Sequence, residues 1–141
     1  MKGELLAFMA ALLWGTVPLL DKIIAATAIS PVAANIVRSA GALLSLLLLS
    51  ILMRELSFEG IRGVNIVILL TAGAIAGGIA MVIYYGALKS IGAAKAVPIT
   101  SVYPLVTVVL SVLILGEKVN LPKVMAGTLL IVLGLVLVTT Q

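Results

Sequence analysis

The chain is predicted to be an all-α integral membrane protein built from five transmembrane helices. Five apolar stretches, each long enough to cross a bilayer, fill almost all of its 141 residues, and the gaps between them leave no room for a soluble domain. A spanning helix needs roughly 20 predominantly apolar residues at about 1.5 Å rise each. With 63% hydrophobic and 10% charged residues and a mean hydropathy of +1.36, a soluble core-and-surface layout is excluded. Such a chain cannot cover its own surface with polar groups, so lipid must be its outer solvent.

The spans fall at about 4–26, 31–53, 64–87, 97–116 and 122–140, and residues 1–141 read as a single transmembrane domain. The first span is too long to be a cleavable signal and carries Trp14, Pro18, Asp21 and Lys22 too far along, so it is expected to be a permanent helix. Absence of a cleavable signal is consistent with direct insertion into a plasma membrane.

The net charge of +4 is not a nucleic-acid footprint, because the nine Lys/Arg residues sit singly, mostly at helix ends. Their use is topological. Connectivity puts Lys2, Arg54, Arg62, Lys118 and Lys123 on one side of the membrane and Lys22, Lys89 and Lys95 on the other, five against three. That favours a cytoplasmic N-terminus only weakly. A weak bias is also what a chain inserting in both orientations needs.

Zero cysteine removes disulfides, thiolate nucleophiles and Cys-ligated metal, and zero histidine removes the commonest general base and metal ligand. The carboxylates are Glu4, Asp21, Glu55, Glu59 and Glu117, with no pair on one helix face. Enzymatic chemistry, a metal site and a cofactor are therefore not expected.

In the first helix Trp14, Pro18 and Asp21 share a face. Trp14 lies mid-span, away from the interfacial belt tryptophan prefers, and reads either as a cavity wall or as packing. Asp21 and Lys22 lie near the far membrane face, where a snorkelling pair or helix-end charge is favoured over a solute or proton site. The second helix opens at Ser30-Pro31, a serine N-cap with proline in the first turn. Arg38 follows about two turns inside, where a guanidinium costs a few kcal/mol unless it snorkels, pairs or faces water. Ala34, Arg38, Gly41 and Ser45 form one small or polar stripe, which turns Arg38 towards other helices. Across a short turn, Asp21 is its obvious partner. An Asp21–Arg38 structural link is weighed slightly above a direct contact of Arg38 with solute.

Residues 54–63 mix both charge signs and read as an interfacial connection. In the third helix Gly73 and Gly77 make a GxxxG that permits close approach of another backbone. On ideal α geometry Tyr84 falls on the same face, either pointing into the groove the glycines leave or anchoring the interface. The fourth helix holds Pro98 and Pro104 inside a spanning run, each deleting a backbone hydrogen bond. The freed carbonyls must be met by side chains, neighbours or water, and interrupted helices recur at transporter binding sites. Val97, Ser101, Pro104, Val108 and Ser111 share a face that either lines a cavity or belongs to a kinked packing helix. In the fifth helix Gly127 and Gly134, one heptad apart, suit helix packing.

These residues together resemble a known family. Trp14-Gly15, the embedded Arg38, Tyr84-Tyr85-Gly86-Ala87-Leu88 and Pro104 followed thirteen residues on by Leu115-Gly116-Glu117 are similar to the EamA domain of the drug/metabolite transporter superfamily; Gly127 and the Leu-Ile-Val-Leu-Gly run at 130–134 continue the pattern. The resemblance covers essentially the whole chain. It implies one five-helix repeat, half of an inverted-repeat fold in which two repeats of opposite orientation surround a central cavity. With one repeat and no convincing internal duplication, the chain is expected to dimerise. The related small multidrug resistance proteins use a glutamate embedded in helix 1, which this chain lacks beyond Glu4; Asp21, its embedded acid, is placed too far along to match.

The leading expectation is a secondary-transporter protomer in the plasma membrane, a homodimer, antiparallel in the favoured form, that moves a small organic solute by alternating access. Trp14, Arg38, Tyr84, Ser101 and Tyr103 are its candidate solute-binding residues, Pro98 and Pro104 its helix-breaking or gating residues. Two alternatives stand beside it: a lipid-carrier flippase subunit completed by a paralogous five-helix partner, and a structural membrane protein without transport.

Overall fold

The structure is a computed structural model that describes residues 2–140. It is helical, with five helical stretches long and apolar enough to span a membrane: Gly3–Ala25, Pro31–Met53, Gly63–Ile91, Ala93–Leu115 and Pro122–Thr139. The chain is a multi-pass membrane protein. It divides after Ser90 into two compact units, taken here in turn.

The first unit holds α1 (Lys2–Ala25), α2 (Pro31–Met53), α3 (Gly63–Ala72), a π-helical stretch (Gly73–Ile79) and α4 (Ala80–Ile91), the last three running on as one span. The start of α2 is set locally: the Ser30 hydroxyl accepts from the Ala33 N–H at 3.1 Å, and Pro31 occupies the first turn, where its missing N–H costs nothing. In the turn before it, the Thr27 hydroxyl donates to the Ile24 carbonyl at 2.7 Å and accepts from the Ile29 N–H at 3.2 Å. Most large apolar side chains of this unit are exposed, Leu44 at 67% and Ile51 at 72% among them, as lipid-facing residues must be. What it buries is a small set: Asp21, Ala25, Asn35, Tyr85 and Leu88. That set comes from the last turns of α1, the first turns of α2 and the middle of α4, so the unit packs tightest around polar groups at one end.

The third span was expected to be a regular α-helix. Instead, Gly73–Ile79 is π-helical, with the Ala80 N–H bonding back to the Ile75 carbonyl. A π turn closes an i→i+5 bond and so contains one extra residue. Everything beyond it is rotated by one position relative to an unbroken α-helix. The stretch packs against α2.

The second unit holds α5 (Ala93–Thr100), α6 (Tyr103–Leu115) and α7 (Leu121–Thr139), with α5 packed on α7. The fourth span starts at Ala93, earlier than the expected residue 97, directly after Gly92 in the left-handed region at φ 74°. It is broken at Ser101-Val102, which separates the two prolines. Pro98 lies inside α5, whereas Pro104 falls in the first turn of α6 and deletes no interior bond. The hydroxyls of Thr100 and Ser101 both donate to the Val97 carbonyl at 2.9 Å, which also accepts the Ser101 N–H at 3.0 Å. α6 ends at Gly116, φ 66°, and α7 begins where the Asn120 side chain accepts from the Lys123 N–H at 3.2 Å.

Candidate functional site

The first unit contains a cavity of about 820 Å³, within the size range of small-molecule sites. Its wall is apolar, built from side chains such as Leu20, Ile24, Val37 and Leu43, and its polar groups include Asp21, Arg38 and Tyr85.

Asp21 sits about one turn before the end of α1 and is buried. Tyr85, a residue 2% exposed, donates its hydroxyl to Asp21 Oδ1 at 2.6 Å. Arg38, from α2, brings Nε to 3.7 Å of the same oxygen, an ion pair too long to be a hydrogen bond. The two partners differ in access. The Asp21 side chain is 7% exposed and the Arg38 side chain 40%. The carboxylate is held by the tyrosine, while the Arg38 side chain, which also lines the cavity, is partly exposed.

Beside this pair, Asn35 is buried and its Nδ2 donates to the Gly77 carbonyl at 2.6 Å. Gly77 belongs to the π-helical stretch, whose backbone bonding is displaced from the α pattern, and Asn35 meets one of its carbonyls. Asn35 Oδ1 is buried with no hydrogen-bond partner among the described residues. Two lysines cap carbonyls across the unit, Lys22 directly after Asp21 and Lys89 one turn beyond Tyr85: Lys22 Nζ donates to Leu88 O and Lys89 Nζ to Ile29 O, both at 2.9 Å. Leu88 O is one of the last carbonyls of α4 and would otherwise lack an intrahelical donor.

Of the residues singled out in the sequence, Asp21 and Arg38 meet in this cavity. Trp14 does not line it; the indole is 67% exposed, one turn before the first cavity residue of α1. Tyr84 is half-buried, and Tyr85 stands with Gly77 in the cavity wall in its place. The π turn is the reason: one added residue moves the face of Gly77 from position 84 to position 85. Ser101 and Tyr103 are exposed in the second unit, at and just after the break between α5 and α6. A Cβ built at Gly73, Gly77, Gly127 or Gly134 would meet nothing within 4 Å, so the close approach expected there is not made within this chain. Tyr85 and Asn35 are the site residues that sequence reasoning passed over. Asn35 carried a readable signal, a carboxamide inside a span and one turn from Arg38 on the same face.

Among the described residues no group of three or more carboxylates gathers that could hold a metal ion. The hydrogen bond between Tyr85 and Asp21 is expected to matter to stability. Tyr85→Phe leaves a buried carboxylate short of a donor and should cost about 1–3 kcal/mol. Tyr84→Phe removes no hydrogen bond and should stay within about 0.5 kcal/mol. Denaturant unfolding of the two variants side by side checks this.

Comparison with curated proteins and with solved structures gives no match. The sequence model of the EamA-like transporter family matches residues 1–140, nearly the whole length over which the helices, the cavity and the Asp21–Arg38 pair are laid out. The chain belongs to the EamA-like transporter family, a family of membrane transporters.

Proposed function

We propose that the protein is one protomer of a secondary transporter that moves a small organic solute across the plasma membrane by alternating access, working as an antiparallel homodimer. The observation that carries this reading is the cavity of the first unit: apolar walls, solute-sized, with a partly exposed Arg38 side chain whose counter-charge is held by Tyr85. A structural helix bundle would bury such a pair fully or lack it, because a cation turned towards an open space in a bilayer is costly unless water or a ligand meets it.

A second copy would supply the cover that an open, charged cavity needs within lipid. The small-residue stripes support the same arrangement, since a Cβ added at Gly73, Gly77, Gly127 or Gly134 would meet nothing within 4 Å, which leaves room for approach by another helix. The five-to-three distribution of basic residues is weak enough to permit both orientations. The chain's lack of cysteine makes the test direct. Ser57 and Ala28 lie in the connections at opposite ends of α2. Single cysteines at these positions, treated in intact cells with a membrane-impermeant thiol reagent, should each be labelled in part. Labelling of one position alone would rule out the antiparallel homodimer and require a partner of fixed opposite topology.

A further inference from the structure

From the same cavity we infer that the solute is an organic anion with an apolar body, bound by the guanidinium fork of Arg38, and that Asp21 takes up one proton when the anion binds. This rests on the reading of the cavity as the solute site and adds its chemistry and its coupling.

Arg38 leaves most of its hydrogen-bonding capacity unused. Its Nε approaches Asp21 at 3.7 Å, and among the described residues its two Nη groups have no hydrogen-bond partner. A guanidinium is built to meet a carboxylate or phosphate with two parallel N–H bonds, and a single long contact leaves that capacity open. The free fork belongs to a side chain 40% exposed in a cavity of about 820 Å³, too large for a simple ion and walled by hydrocarbon. An anionic head on Arg38 with an apolar body against Leu20, Ile24, Val37 and Leu43 fits both features. A cationic solute does not, because Asp21 is only 7% exposed and already accepts from Tyr85.

Charge then dictates the second half. Arg38 and Asp21 are neutral as a pair, so a bound monoanion brings the site to a net charge of −1 in surroundings of low dielectric, where each uncompensated charge is expensive. Among the described residues of the first unit, Asp21 and Arg38 are the charged side chains that line the cavity. The groups facing Asp21 are Arg38 from α2 and Tyr85 from α4, with the half-buried Tyr84 beside Tyr85 on α4. Lys22, next along α1, is committed to the Leu88 carbonyl, and Lys89 of α4 to the Ile29 carbonyl. A proton from the aqueous phase restores neutrality if it goes to Asp21 Oδ2, leaving Oδ1 to accept from Tyr85 as before. The anion replaces Asp21 as the counterion of Arg38, one proton enters for each anion bound, and the loaded site carries no net charge. Movement is then electroneutral anion–proton symport.

Octanoate binding to the purified protein in phosphatidylcholine nanodiscs tests this, measured by calorimetry between about pH 6 and 8 in two buffers of different ionisation enthalpy. Wild type should take up one proton per octanoate, with affinity rising about tenfold for each unit fall in pH. Asp21→Asn, which still accepts from Tyr85 but cannot take the proton, should lose both the proton uptake and the pH slope. Arg38→Gln should weaken binding by about tenfold or more, and Arg38→Lys, with charge but no fork, by an intermediate factor.

Phosphatidylglycerol added to the nanodiscs separates two sources of the anion. If it competes with octanoate in wild type and not in Arg38→Gln, the native occupant is a lipid headgroup; if it does not compete, the occupant is a water-soluble anion. Absence of octanoate binding to wild type, unchanged binding by Arg38→Gln, or an unchanged pH slope in Asp21→Asn overturns the inference. Its failure is separable from failure of the transporter reading. A cavity reactive to water-borne thiol reagents that ignores octanoate leaves the transporter standing and removes only the anion.

Discussion

Asp21→Ala lowers the stability of the helical assembly by about 1–3 kcal/mol, the cost of leaving the buried Tyr85 without its acceptor, with the loss of the counterion of Arg38 added to it. Two groups lose their partner at once. The hydroxyl of Tyr85, a residue 2% exposed, is left with no acceptor, and the Arg38 guanidinium is left without its counterion within the span. Asp21→Asn keeps an acceptor for Tyr85 and should cost clearly less, so the difference between the two variants isolates the contribution of the hydroxyl bond. Denaturant titration monitored through Trp14, the chain's single tryptophan, measures both.

Arg38→Ala has the opposite profile: solute movement is abolished and the helices stay assembled. The two partners are not equivalent. Removing the guanidinium leaves Asp21 still hydrogen-bonded to Tyr85 and free to take a proton, and it also relieves the insertion cost of an embedded arginine, about 2.5–3.5 kcal/mol on translocon scales. Loss of the Asp21 attraction is correspondingly offset. Uptake of labelled octanoate into proteoliposomes should fall to the protein-free background, while size-exclusion behaviour matches wild type. If Arg38→Ala unfolds or aggregates as badly as Asp21→Ala, Arg38 is a structural cation and the solute-binding role is wrong.

How much of this arrangement was legible in the sequence follows from the range of each signal. Helix α2 was readable to the residue at both ends because its start is local chemistry, Ser30 and Pro31, and its end is a change to charged residues at Arg54. The Asp21–Arg38 pairing was readable because a short turn joins the two helices on one membrane side, which leaves few alternatives for two embedded opposite charges.

The π turn was not readable. Gly73–Ile79 is a run of small and apolar residues that fits an α-helix equally well, and its effect is to rotate Tyr85, in place of Tyr84, into the cavity. The residue that bonds to Asp21 therefore differed from the one α periodicity selects. Lys95 made the fourth span look as if it started late, while the backbone turns helical directly after Gly92 at φ 74°. Glycine spacing predicted where close packing is possible and could not say with what, and a Cβ added at those positions would meet nothing within 4 Å.

The central claim is that the space between α1, α2 and the π-helical stretch is a solute path open to water. Ala34 lines that cavity, and Leu48 lies further along α2 among exposed leucines. Single cysteines at these two positions, in membranes treated with a small charged methanethiosulfonate reagent, test the claim without knowledge of the solute. Ala34→Cys should react rapidly and Leu48→Cys hardly at all, because the thiolate that reacts forms only where water reaches. If Ala34→Cys is as inert as Leu48→Cys on both sides of the membrane, the cavity is filled by lipid or protein and the transporter site lies elsewhere.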